Sequence, residues 1–189
     1  GVDIVVESAT KFIGGHSDVI GGAICMKSEL LPEDFLEQIR WNTMVKLGAP
    51  LAPFNAWMLG RGIQTLSVRL ERACRSAATL AAYFENHPTV KQVWYPGLES
   101  HPQHHIAKEQ MPKFGGMLTF EVEDGNEALK VLDNLELSCF SASLGGVRTT
   151  TQIPALMAFL DIPIEQRLEM GIRDGMIRVS TGLEDVEDL

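Results

Sequence analysis

The sequence of 189 residues is poor in cysteine: Cys25, Cys74 and Cys139 are the only three, far apart and in no CxxC spacing. An odd, scattered set neither staples a secreted scaffold nor builds a zinc site, and it fits a reducing cytoplasm. No apolar run is long enough to span a bilayer, and no basic stretch followed by an apolar one directs secretion, so the chain is expected to stay in water, away from membranes. Positive charge is also scarce. Sixteen Lys+Arg against 25 Asp+Glu leave a net charge of −9, a surface that repels phosphate backbones and argues against nucleic acid as a partner. There is no internal repeat and no low-complexity segment. What remains, 45% apolar and 22% charged residues, is the composition of a globular protein of one or two domains.

The chain opens Gly1-Val2-Asp3 without an initiator Met and closes Glu184-Asp185-Val186-Glu187-Asp188-Leu189, which reads as the start of a helix. Both ends suggest a piece of a longer protein; the other reading is a mature chain trimmed to its ordered part. Asp3 to Glu7 suits a short buried strand, followed by a polar, glycine-rich stretch from Ser8 to Ser17 and a second strand over Gly21 to Met26. A helix is predicted from Pro32 to about Lys46, acidic at its start and basic at its end. The clearest element is one long helix in which Ile63, Leu66, Leu70, Ala73, Ala77, Leu80 or Ala81, and Phe84 recur at helical steps. Arg69, Glu71, Arg72 and Arg75 form its other face, and Asn86-His87-Pro88 stops it. Strands are expected over Thr89 to Trp94, Gly116 to Val122, Leu137 to Phe140 and Met176 to Ser180, with a helix from Asn126 to Leu135.

The chemistry concentrates in Ser8-Ala9-Thr10-Lys11-Phe12-Ile13-Gly14-Gly15-His16-Ser17-Asp18. A lysine at the end of an apolar strand, partly desolvated, is placed to attack a carbonyl and form a Schiff base. Ser8 and Thr10 are placed to donate hydrogen bonds to a phosphate. Phosphate and aldehyde on one ligand mean pyridoxal phosphate. A phosphate-binding P-loop is excluded by order, because it needs its glycines ahead of the lysine, whereas Gly14 and Gly15 follow Lys11. On residue types alone, Lys11 also reads as an ordinary surface lysine after a strand.

The run from Ser8 through Val19-Ile20-Gly21-Gly22 closely resembles the signature of the Cys/Met-metabolism family of pyridoxal-phosphate enzymes, which includes cystathionine γ-synthase, cystathionine γ- and β-lyases, methionine γ-lyase and the homoserine sulfhydrylases. The resemblance continues through Arg61-Gly62-Ile63-Gln64-Thr65-Leu66, Tyr95-Pro96-Gly97-Leu98, Phe114-Gly115-Gly116-Met117, Ser143-Leu144-Gly145-Gly146 and Gly175 to Glu184. It implies elimination or replacement at Cβ or Cγ of a sulfur amino acid or an O-acylhomoserine, with pyridoxal 5′-phosphate as cofactor and no metal. Lys11 matches the Schiff-base lysine and proton shuttle, Ser8 and Thr10 the phosphate-binding hydroxyls, Arg178 the arginine that grips the substrate α-carboxylate, and Ser143 a residue beside it. Arg178 lies in a β-like apolar run, where a charge calls for an anion; an internal ion pair is the other reading. At Arg148 many relatives carry a glutamate, so Arg148 is expected to favour a substrate with a distal anionic group over a distal ammonium, or else it points to solvent.

The implied fold is α/β, the aspartate-aminotransferase-like fold type I of pyridoxal-phosphate-dependent transferases. Residues 1–57 are the end of the large cofactor-binding domain, 58–86 a linking helix and 87–189 a small C-terminal α+β domain. Such enzymes are about twice this long, so the resemblance covers a C-terminal half. It implies a cytoplasmic homo-oligomer, a dimer of dimers, acting on a small amino acid; the alternative is a non-catalytic half-protein contributing dimer contacts. His101, His104 and His105 read as a surface turn rather than a metal site, His16 as part of the loop's shape, Trp41, Trp57 and Trp94 as packing, and Glu184 to Asp188 as a solvated helix face.

Overall fold

Asp3 to Glu7 and Gly21 to Met26 supply an antiparallel ribbon, β1 (Ile4–Glu7) and β2 (Ala23–Met26), with Val5 opposite Cys25 and Val6 opposite Ile24. The computed structural model describes residues 2–27, 29 and 32–189; Gly1, Ser28, Leu30 and Leu31, all inside the expected large-domain segment, lie outside the described residues. The expectation of burial for β1 is overturned: all four of its residues are exposed. A two-stranded ribbon has two faces to cover, and no described element is laid over this one.

The helix expected from Pro32 starts later, as α1 (Phe35–Ile39), and continues as a π-helical stretch over Arg40–Val45. Next comes α2 (Pro53–Ile63), which opens on a proline whose missing N–H is no loss in a first helical turn. The single long helix is in fact two. α3 (Leu66–Glu85) begins after a break at Thr65, where φ is −107° and ψ 4°. At the break the Gly62 carbonyl accepts the Thr65 amide at 3.2 Å and the Thr65 hydroxyl at 3.3 Å, a tight i→i+3 turn. Arg69 is likewise not on a solvated face but 7% exposed, because Leu66, Arg69, Ala73, Ala77 and Leu80 share one helical stripe.

Chain order then gives β3 (Gln92–Trp94), α4 (His104–Gln110), β4 (Met117–Glu121), α5 (Gly125–Asp133), β5 (Cys139–Phe140), β6 (Thr150–Gln152), α6 (Ile164–Glu169) and β7 (Met176–Ser180). α5 starts where the Asp124 carboxylate accepts the Asn126 and Glu127 amides, an N-cap. The five strands order as β3-β4-β7-β6-β5, antiparallel except for β5 beside β6. β6, α4 and α6 were not anticipated. β6 is a three-residue Thr-Thr-Gln strand with no apolar alternation to announce it, and α4 contains two of the three histidines read as a surface turn. The chain ends in a 3₁₀ turn (Val186–Asp188) rather than an opening helix.

α3 lies on the sheet through Ala73, Ala77 and Ala81. These small side chains let the helix come close: a Cβ on Gly116 would stand 3.0 Å from that of Ala73. Ala77, Ala81, Ala128, Ile153 and Ile177 are fully buried at the centre of this core, and Phe84 stacks on Phe120 with ring centroids 4.2 Å apart. A separate small cluster of Ala9, Val19 and Leu59 sits under the Lys11 turn.

Tyr95, 1% exposed, donates its hydroxyl to the Gly115 carbonyl at 3.1 Å, with the Cys74 carbonyl at 3.4 Å. Burial, aided by the neighbouring Cys74 thiol, pushes its pKa up to about 12 from the ordinary 10. An acid whose folded pKa is raised contributes stability below its unfolded pKa and loses it as pH rises toward the folded one. Thermal melts between pH 10 and about 12 will therefore show a steeper loss of stability for the native sequence than for Tyr95→Phe; parallel curves would refute this.

Candidate active site

The turn after β1 is built by its own backbone. The Lys11 amide bonds to Ser8 O at 3.1 Å, Gly14 N to Ala9 O at 2.8 Å, and Gly15 N to Lys11 O at 2.7 Å. Lys11 is half-buried, and among the described residues its Nζ makes no ion pair or hydrogen bond. Thr10 ties the turn to the start of the β2 segment: its amide donates to Gly21 O at 3.1 Å, its hydroxyl donates to the same carbonyl at 3.2 Å, and it accepts from Gly21 N at 3.0 Å. The hydroxyl can turn toward another acceptor because the amide still satisfies Gly21 O. Ser8 is exposed, and its hydroxyl bonds no other described group.

Arg178 sits on β7 between Ile177 and Val179, in register with Thr119 of β4 on one side and Gln152 of β6 on the other. Residues directly opposite in antiparallel strands share a face, so these polar side chains lie together across the sheet. Nη2 of Arg178 donates to Ala142 O at 3.0 Å and Ser143 O at 3.1 Å. Nε is buried without a partner, as is Oε1 of Gln152. Desolvation lowers the guanidinium's pKa from its ordinary value, yet an arginine stays charged at neutral pH. Among the described residues no carboxylate pairs with it, so the internal ion pair does not form.

The loop from Ser143 to Gly146 joins these two parts. At one end Ser143 O accepts from Arg178 and from the Thr150 hydroxyl. At the other, Gly145 donates its amide to the Ser180 hydroxyl at 2.9 Å and lies flat on the Lys11–Phe12 peptide. Its φ is +74°, and a Cβ there would stand 2.7 Å from Phe12 N and 3.0 Å from the Lys11 carbonyl carbon. Only glycine meets both demands.

An open cavity of about 740 Å³ runs beside this junction, bringing Thr10, Ser143 and Arg148 together with His16, Ser17, Asp18, Asn55, Cys139 and Ser141. Ser8, Lys11 and Arg178 are not among the residues that line it. Arg148 is exposed and borders the cavity. Its neighbours are pinned: Val147 O accepts Leu183 N at 2.8 Å, and the Thr149 amide and hydroxyl both donate to Glu184, at 2.7 and 2.8 Å. Glu184 is thus a bonded carboxylate rather than part of a solvated face. His16 holds the loop by its Nδ1, which donates to Gly14 O at 2.9 Å.

Sequence reasoning passed over Arg69, Gln152 and Glu184. The first was detectable from the stripe it shares with Leu66 and Ala73. Glu184 stood inside the quoted Gly175 to Glu184 motif. Gln152 carried no local signal, since its place beside Arg178 exists only through strand pairing.

The description "Cys/Met metabolism PLP-dependent enzyme" belongs to the family whose sequence pattern matches residues 1–189. The chain is 46% identical over 190 residues to the cystathionine beta-lyase of Coxiella burnetii, covering all of this chain and 48% of that protein. It is 45% identical over 191 residues to the L-methionine gamma-lyase of Fusobacterium nucleatum, covering all of this chain and 47% of that protein. Among solved structures, cystathionine gamma synthase from Xanthomonas oryzae in complex with cystathionine superposes with a TM-score of 0.91 at 39% identity, over the whole of this chain and 48% of that one. Cystathionine gamma-lyase from Lactobacillus plantarum complexed with L-serine gives 0.89 at 37%, with the same coverage. The chain spans about half the length of the relatives it matches. Matched from end to end in sequence and in three dimensions, it belongs to the Cys/Met metabolism PLP-dependent enzyme family and has the C-terminal half of its aspartate-aminotransferase-like α/β fold.

Proposed function

We propose that the full-length protein carrying this chain catalyses β- or γ-elimination, or γ-replacement, on sulfur amino acids or O-acylhomoserine, with pyridoxal 5′-phosphate as cofactor. The observation that carries this reading is the Ser143–Gly146 loop, which links a half-buried lysine with no described partner on its Nζ to a half-buried arginine with no described acid beside it and a buried, unpartnered Nε. The residues present fit the cofactor and its substrate. Ser8 offers an uncommitted hydroxyl, and Thr10 one that can be released, for the phosphate. Arg178 offers a desolvated guanidinium, suited to a carboxylate through its planar fork.

Bound pyridoxal phosphate supplies an electron sink for charge developing at the substrate Cα. Lys11 would hold the cofactor through its Nζ, and the same amine, when free, would take the proton from the substrate Cα and return it. Arg178 fixes the substrate by its α-carboxylate, and Ser143 frames that end of the site. Arg148, at the rim of the cavity, selects substrates with a distal anionic group. The same reading makes residues 1–57 the end of the cofactor-binding domain, 58–86 the link and 87–189 the small domain of a cytoplasmic dimer of dimers. Support for an assembly comes from apolar side chains left in the open, Val6 76%, Leu47 75% and Phe54 67% exposed. No helix among the described residues is long and apolar enough to cross a membrane.

In purified full-length protein supplied with cofactor, the visible absorbance of the lysine-bound cofactor will be present and Lys11→Ala will abolish it; no such absorbance in the native protein would favour the non-catalytic half-protein instead. Release of α-keto acid from cystathionine, methionine and acylated homoserine, with and without a thiol, will identify the reaction. Arg178→Ala will lower kcat/KM roughly 100-fold, the scale of one buried charged contact, chiefly through KM, and Arg178→Lys will restore only part of it. Arg148→Glu will move the kcat/KM ratio toward substrates with a distal ammonium, and an unchanged ratio would remove Arg148 from the pocket's selectivity.

A further inference from the structure

Arg69 has no part in the chemistry above, yet it is 7% exposed and, with Arg167, one of two arginines counted as buried among the described residues. A guanidinium taken out of water needs a counter-ion or a full set of acceptors. No described carboxylate pairs with Arg69, and all its acceptors are neutral. Nε donates to the Thr65 hydroxyl at 2.9 Å, Nη1 to Phe12 O at 2.8 Å, and Nη2 to Gly62 O at 2.7 Å and Ile13 O at 3.3 Å. Two of these carbonyls belong to the residues that follow Lys11, and the third to the last turn of α2. Glycine clears the approach on both sides. A Cβ on Gly15, whose φ is +74°, would collide with the guanidinium, and a Cβ on Gly62 would stand 2.6 Å from both Ile13 O and Gly14 O.

We propose that Arg69 is a positioning residue for Lys11: its fork pins the peptides after Lys11 to the α2–α3 junction, so that Nζ meets the cofactor aldehyde in one orientation. The proposal rests on Lys11 being the attachment lysine. A lysine at this place would keep the charge but could not reach all four acceptors, because an ammonium has three donors on one nitrogen whereas a guanidinium spreads five over a planar fork. Small misplacements of a reacting group are costly, about 100-fold for an ångström.

The test is reductive trapping in full-length protein stripped of cofactor. The Lys11 amine and the aldehyde of pyridoxal phosphate condense with loss of water; borohydride then delivers hydride to the carbon of the new C=N bond while water supplies the proton to nitrogen. Mass spectrometry reads the trapping rate at each lysine. Arg69→Lys will slow trapping at Lys11 by roughly 10- to 100-fold and leave the other lysines unchanged. Arg167→Lys, which disturbs the other buried guanidinium and its bonds to Ile172 O and Asp174, will trap Lys11 at the native rate. The proposal is overturned if Arg69→Lys traps Lys11 at the native rate or if Arg167→Lys slows it equally. Should Arg69→Lys fail to fold, Thr65→Val decides, since it removes the acceptor of Nε along with the hydroxyl's 3.3 Å bond to Gly62 O and leaves the Thr65 amide on that carbonyl: a several-fold slowing supports the proposal and the native rate overturns it. A native protein that traps Lys11 no faster than its other lysines overturns the attachment reading itself, and the positioning role with it.

Discussion

The contact on which the site depends is the one between Gly145 and the Lys11–Phe12 peptide. It brings a loop hung from the C-terminal end of β7 onto a turn near the chain's start, with no side chain between them. A methyl group at Gly145 would have to push the turn away, and its left-handed backbone would be strained in any other residue. Through this contact the half-buried arginine of the sheet and the lysine of the turn become parts of one place. Everything else in the loop follows: Ser143 O gathers Arg178 and Thr150, and Gly146 rests so close to Ser17 that a Cβ would stand 2.9 Å from its hydroxyl oxygen.

The turn is held from the other side by Arg69. Buried cations are costly, and this one is matched only by neutral oxygens, so its value lies in geometry rather than in charge pairing. The two restraints differ in kind. Gly145 works by absence of a side chain, which permits backbone to lie on backbone, whereas Arg69 works by the reach of a planar fork across two segments. Between them the lysine's backbone is fixed while its Nζ is left uncommitted, the combination a nucleophile needs.

Away from the site the chain is unevenly finished. The five-stranded sheet and α3 enclose a core whose central residues are fully buried, whereas the β1–β2 ribbon and the α1–α2 region leave large apolar side chains in solvent. That asymmetry agrees with a chain spanning about half the length of its relatives. It also explains a misreading: β-branched Ile4-Val5-Val6 has the composition of a buried strand, and composition alone carries no information about what covers it. The long α3 was legible because its stripe is regular over many turns; the break at Thr65 was not, since the apolar spacing of Ile63, Leu66 and Leu70 runs across it without interruption.

The order of small polar residues, lysine and glycines from Ser8 to Gly22, together with the spaced motifs after it, was enough to name the family and its cofactor, because both are written in short stretches read one residue after another. Folding alone assigned the partners. Arg69 looked like one more cation on a charged helix face until α2 and the Lys11 turn closed over it. Gln152 met Arg178 only when β6 paired with β7, and Glu184 left the solvent only when β6 and the segment after β7 came side by side. Each of these contacts joins residues distant in the chain, and whether a polar group is buried and bonded depends on what packs against it, which local order does not specify.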